Sequence, residues 1–309
     1  MKHTIKVTAA LAVFFFAAQL IGLLVINQYI DHKKTFETKA VAYKPLPYGF
    51  ERPEVKNQST SFIWIAASIL TGTLLLLLLV KYKKPLIWKF MFFIAVCSTL
   101  TFAFAAFISP AAAGVLALAL SVWRIYKPNV IVQNLSEVFI YGGLAASVIN
   151  IFNLFSVSML LVVISAYDYI SVFKTRHMIT LAEFQSKSRL FAGLYLPYEK
   201  GKILPNEKLP KYDAKKHSEY GKKSLSKKSV AILGGGDIGF TLLFAGVVMK
   251  GMTLQETALS GFMKALIVPV FATIALLVLL IKGRHGKFYP AMPVLSLGCF
   301  LGYLVVLLV

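Results

Sequence analysis

Ala231-Ile-Leu-Gly-Gly-Gly-Asp-Ile-Gly-Phe240 lies in a run, 229–249, otherwise apolar and long enough to cross a bilayer. Three consecutive glycines are costly in a helix interior, by about 1 kcal/mol each relative to Ala. A carboxylate at membrane depth costs a further ~2.5–3.5 kcal/mol, even on the lenient insertion scale. A chain that keeps both together needs a compensating use for them. A functional pair of carboxylates would supply one, with Asp237 as half of it and a second aspartate at the same depth as the other half.

The surrounding composition supports a membrane setting. Of 309 residues, 58% are hydrophobic, and the mean hydropathy is +0.72. That exceeds the apolar share of a soluble domain. The net charge of +20 falls in short clusters between apolar runs. This placement reads as a topology signal and an attraction to anionic lipid headgroups, and nucleic acid is not the expected partner. Cys97 and Cys299 both lie inside apolar runs and read as small core residues. Lys2, His3 and Lys6 precede the run 7–30, which is longer than a signal-peptide core and lacks a clear small-residue cleavage site. It reads as a retained first helix.

Apolar runs at 7–30, 60–80, 86–108, 111–126, 129–148, 151–173, 229–249, 258–281 and 288–309 predict an all-α polytopic protein of nine transmembrane helices. The fourth is short and the fifth is the least apolar. Basic groups follow alternate helices: Lys2 and Lys6 before the first, then Lys81, Lys83 and Lys84, Arg124 and Lys127, Lys174 and Arg176, and Lys282, Arg284 and Lys287. The opposite connections Ser109-Pro110 and Asn150–Asn153 carry no charge, and 31–59 is mixed, with six basic and four acidic residues. This alternation places the N-terminus inside and the C-terminus outside. Helices one to six then occupy 1–173 and helices seven to nine 229–309. Between them, 174–228 is a basic cytoplasmic loop, with 14 Lys/Arg against 5 Asp/Glu. Its second half, 200–228, reads as a solvated tether, and the apolar patch Leu190–Pro197 as a surface anchor.

The second aspartate is Asp168, in Ala166-Tyr-Asp-Tyr169 of the sixth run. It lies six residues before Lys174, about 9 Å at a helical rise, while Asp237 lies nine residues after Lys228, about 13 Å. The two carboxylates therefore reach similar depths. The ninth run opens with Phe288-Tyr-Pro-Ala-Met-Pro-Val294, and two prolines three apart do not belong to a regular helix interior. Irregular backbone at membrane depth is tolerated where it lines a cavity or is buried in protein. Each feature alone has an ordinary explanation: an interfacial acid, a close-packing glycine face, a proline at a helix start. Their convergence on one level does not.

These residues resemble a known family. Tyr167-Asp168, Gly234-Gly-Gly-Asp237 and Pro290-Ala-Met292 are similar, in order and spacing, to the YD, GxGD and PAL motifs of the presenilin/signal peptide peptidase family. Lys174-Thr-Arg-His-Met-Ile-Thr-Leu-Ala-Glu183 resembles the archaeal presenilin homologues in particular. The likeness spans essentially the whole chain. Met292 departs from the family's Leu but is similar in volume. The resemblance implies a presenilin-like fold in the cell membrane and an intramembrane aspartic endopeptidase with Asp168 and Asp237 as the catalytic pair. Gly234, Gly235, Gly236, Tyr167, Pro290, Ala291, Met292 and Pro293 are the substrate-binding candidates, with membrane-helix proteins as substrates. Two carboxylates a few Å apart in a low dielectric share one proton. One activates water and the other hydrogen-bonds the scissile carbonyl, so no metal or cofactor is expected. A substrate helix must unwind before attack, and the freed strand needs backbone partners.

Rival chemistries lack their residues. No HExxH supplies a zinc ligand set, and no GxSxG supplies a serine nucleophile. A prepilin-peptidase type also uses GxGD, but with fewer helices and without the proline motif. His177 reads as a solvated loop residue and Glu137, in the fifth run, as a packing or hydrogen-bonding acid. Asn57-Gln-Ser59 is a weak glycosylation sequon. Nothing demands an obligate protein subunit. The alternative from another class is a transporter or ion pathway built on the intramembrane aspartates, but no inverted repeat is visible.

Overall fold

A computed structural model describes residues 4–82, 84–175, 190–199, 202–204, 228–283 and 289–309. The expectations for Lys83, Arg176, His177, Arg284 and Lys287, and nearly all of the 200–228 tether, lie outside these residues. The helices are α1 (Ile5–Tyr29), the short α2 (His32–Thr38), α3 (Ser61–Lys81), α4 (Pro85–Ala105), α5 (Pro110–Tyr126), α6 (Val130–Val148) and α7 (Leu154–Ile170). Three strands follow, β1 (Gly193–Glu199), β2 (Lys202–Ile203) and β3 (Lys228–Gly234). The chain ends with α8 (Gly235–Thr253), α9 (Ala258–Ala265), α10 (Ile267–Lys282) and α11 (Met292–Leu308). Among the described residues, seven helical segments are long and apolar enough to span a membrane, and α5 and α11 are shorter apolar helices.

Local signals set the helix ends. Asn129 Oδ1 accepts from Val132 N at 2.8 Å to start α6, and Asn153 with Ser156 forms a capping box at α7. Pro110 at the first turn of α5 follows the Ser109 turn.

The part of the bundle that carries Asp168 and Asp237 is built around α8. It packs against α1, α6, α7 and α11 and is buried along most of its length. A second pair, α10 and α11, crosses closely because Gly298 and Gly302 lie against α10. A methyl on Gly298 would stand 2.9 Å from Phe271 O, and one on Gly302 would stand 2.9 Å from Val268 Cα. The two least apolar of the long helices, α6 and α8, are also the two most protein-enclosed, which explains their composition. The opposite case is α3: none of its apolar window is buried in protein, so lipid rather than packing accounts for its hydrophobicity.

The all-α expectation needs correction. Two segments from the middle of the long loop and one at its C-terminal end form an antiparallel sheet of order β2-β1-β3. Gly193 faces Gly234 and Glu199 faces Lys228. Leu190–Pro197 is therefore no surface anchor: its main part is the central strand, buried from Gly193 to Tyr198. The middle of the loop thus pairs with its end, and the pairing satisfies backbone groups that an isolated apolar segment would leave open. The seventh helix likewise begins at Gly235 rather than 229, because 228–234 is extended. A strand rises about 3.3 Å per residue, twice the helical value, so the depth count from Lys228 falls short. The ninth helix begins at Met292 rather than 288.

Candidate active site

Gly234–Asp237 forms a strand-to-helix junction. Gly234 is the N-cap, with extended backbone (φ −65°, ψ 147°), and Asp237 stands in the first turn of α8. The glycines thus escape the helix-interior penalty that the sequence alone assigns them. Asp237 reaches back to the backbone N–H of Gly234, as the third residue of a capping box does. A methyl on Gly234 would stand 3.3 Å from Asp237 Oδ2.

The three glycines differ in what occupies their missing side chain. Gly236 is exposed and its open face meets only Phe240 of its own helix, at 3.5 Å. Gly235 is filled from outside: a methyl there would collide with the Tyr141 hydroxyl. The expectation that all three clear a path for substrate therefore fits Gly236 better than Gly235.

Asp168 lies in the last turn of α7, and α7 packs on both α8 and α11. Its Oδ2 accepts from Met292 N at 3.2 Å. That N–H is one of the donors every helix start leaves without an intrahelical partner. Ala291 is the N-cap of α11, Pro293 sits in its first turn, and Pro290 precedes the helix. The break at 290–293 thus turns a free backbone donor onto the first aspartate. Ser165 and Ser296, 2.9 Å apart, tie α7 to α11 one turn away. Asp168 and Asp237 are both partly buried and close enough to interact electrostatically. Tyr167 is partly buried beside them. All the residues singled out in the three motifs thus fall on the adjoining ends of α7, α8 and α11.

Several residues around this site escape a motif search. Gln19 of α1 is fully buried, and its Nε2 donates to Ile238 O at 2.9 Å and Thr241 Oγ1 at 2.7 Å, just beyond Asp237. Tyr141 of α6 lies against Gly235 and Gly239, and Gln133 and Asn134 bond β1, the strand whose Gly193 faces Gly234. The spacing 133, 137, 141 marks one face of a helix with three polar residues, which is the signal that could have found them. Arg124, read as an inside-facing topology charge, is instead 1% exposed and paired with Glu137.

A polytopic helical protein with two aspartates on adjoining helix ends has the outline of an intramembrane hydrolase or of an ion pathway, and the family decides between them. Residues 44–309 match the profile of the family described as signal-peptide peptidase, presenilin aspartyl protease. The chain belongs to that family and is an intramembrane aspartyl protease. Two solved structures share its fold, both of a presenilin family intramembrane aspartate protease. The form in space group C222 is 17% identical with a TM-score of 0.56, covering 96% of this chain and 95% of that one. The P2 form is 18% identical with a TM-score of 0.57, covering 97% and 96%. None of the curated proteins compared matches the chain.

Proposed function

We propose that Asp168 and Asp237 together activate one water to hydrolyse peptide bonds within transmembrane helices of membrane-protein substrates. The observation that carries this reading is the hydrogen bond from Met292 N to Asp168, because it joins the third motif to the first at the place where the second stands. The ionised member of the pair takes a proton from water while the protonated member donates to the scissile carbonyl. The water oxygen adds to the carbonyl carbon, and collapse of the tetrahedral adduct breaks the C–N bond as the amine takes a proton.

A substrate helix exposes no free backbone until it unwinds, and a freed strand then needs partners. Two features support its capture at this site. Among the described residues β3 is an edge strand that runs directly into Gly234, and its Ile232 is 45% exposed. The non-helical backbone at Tyr289 and Pro290 leads directly into the start of α11, whose Met292 N–H donates to Asp168. Gly234, Gly235, Gly236, Tyr167 and Pro290–Pro293 are the substrate-supporting set in this reading, with Gly236 the most open.

The same reading takes α1, α3, α4, α5, α6, α7, α8, α9 with α10, and α11 as nine crossings of the cell membrane, N-terminus inside and C-terminus outside. The loop 174–228 is then on the inner side, and lipid is the protein's immediate environment. A transporter using the same aspartates is the weaker reading, since the family is one of proteases.

The test is to incubate the purified protein in liposomes with candidate membrane peptides, with and without an aspartyl transition-state analogue. Cuts mapped by mass spectrometry inside the apolar segment, and blocked by the analogue, are the expected result. Cuts confined to the juxtamembrane flank would favour a prepilin-peptidase type of action, and analogue-insensitive cleavage would remove the dyad.

A further inference from the structure

A third acid of the membrane helices, Glu137, is held in a buried network beside the site. Arg124 forms an ion pair with it, both side chains being 1% exposed. The guanidinium also donates to Ser136 Oγ at 2.7 Å and to Phe191 O at 3.0 Å. Gln133 Nε2 donates to Glu137 Oε1 at 3.2 Å, and the Tyr141 hydroxyl donates to Glu137 Oε2.

Two arms run from this network to Asp237. In the first, the Tyr141 ring covers the glycine face of α8. A methyl on Gly239 would touch its Cδ1 at 3.4 Å, one on Gly235 would strike its hydroxyl, and Tyr141 lies within electrostatic reach of Asp237. In the second, Gln133 donates to Phe191 O at 2.8 Å and Gly193 O at 3.0 Å. Asn134 pairs with Tyr195 through both backbone groups, at 2.9 Å each, as a neighbouring strand would. The strand so clamped is β1, whose Gly193 faces Gly234. Ala192 O accepts from Gly235 N at 3.1 Å. Asp237 is two residues further on.

We infer that Glu137, fixed by Arg124 and Gln133 and acting through Tyr141, is a positioning residue for Asp237. This rests on the two-aspartate reading above. A buried ion pair is weak evidence for stability, since apolar residues of similar volume often serve as well. What apolar packing does not supply is directional bonding, and reacting groups must be held to within about 0.5 Å. Here the carboxylate fixes the tyrosine hydroxyl, the ring fixes the glycine face, and the amide clamp fixes the strand that feeds the junction.

The test uses the full chain in liposomes with Tyr141→Phe and Glu137→Gln, cleaving a transmembrane reporter. Rates are normalised to monodisperse protein, and kcat, KM, melting temperature and affinity for the transition-state analogue are measured. The expected result is a fall in kcat of roughly tenfold or more, as small misplacements of reacting groups produce. KM should stay within about twofold, and analogue affinity should fall by the same factor as kcat. An unchanged kcat, a loss confined to KM, or a loss that disappears when each variant is assayed at the same interval below its own melting temperature overturns the inference. Failure to recover either variant as monodisperse protein also overturns it, because the network would then be part of the fold itself. Asp237→Asn is run alongside. If it stays active, the two-aspartate reading fails; if it is inactive while Tyr141→Phe cleaves at the parent rate, this inference alone fails.

Discussion

Glu137 and Asp237 both stand in membrane-crossing helices, and their surroundings are opposed. Glu137 has a guanidinium, a carboxamide and a phenol around it and is closed off from solvent. Asp237 has a backbone N–H and another carboxylate, is partly exposed, and among the described residues has no basic partner. Asp168 is treated like Asp237, with backbone donors from Met292 and Ala291. An acid whose charge is matched and fully hydrogen-bonded is inert. In the mechanism proposed above, two acids left near each other without a cation share a proton, the state an acid–base pair needs. The protein thus holds one acid still and leaves two available.

The sharpest way to break this contrast is at the unpaired acids. Asp168→Asn or Asp237→Asn is expected to reduce cleavage of a transmembrane reporter to background while leaving expression and melting temperature intact; full turnover in either would end the distinction. The cation that matches the paired acid should show its effect in stability. Arg124→Met leaves Glu137 buried and unmatched and is expected to cost about 3–5 kcal/mol, read as a lower melting temperature in detergent. Arg124→Met combined with Glu137→Leu should recover much of that stability. A double variant no more stable than the single one would show that the pair's charge is not the issue. A smaller effect is expected at the third motif. Pro290→Ala frees the backbone ahead of α11 and should lower cleavage by roughly tenfold with little change in melting temperature; unchanged turnover would demote the break to a helix start. The smallest effect is that of a chelator. Cleavage should persist in its presence, and its loss would point to a metalloprotease.

Much of this was legible residue by residue. Gly234–Asp237, Tyr167-Asp168 and Pro290–Met292 could be found by type and order, and with them the family, because each motif places an expensive residue where lipid tolerates none. The long helices were legible because an apolar run of about 20 residues has few other uses. Leu190–Pro197 was not, since a short apolar run reads equally as an anchor or a strand until its partner is known. Its partner, β3, was hidden in turn because Lys228–Gly234 merges with the apolar residues of the seventh run.

Arg124 shows the same limit from the other side. A basic residue at a helix end has one meaning in water and another when an acid on the next helix faces it, and nothing in its own neighbourhood distinguishes them. Composition and motif order settled the membrane setting and the aspartyl protease family, because lipid penalises each polar or irregular residue wherever it occurs in the chain. How β1 pairs with β3, what fills Gly235, and where Arg124 spends its charge came from the packed chain alone, because those contacts join different elements, 13 positions apart for Arg124 and Glu137 and further for the others.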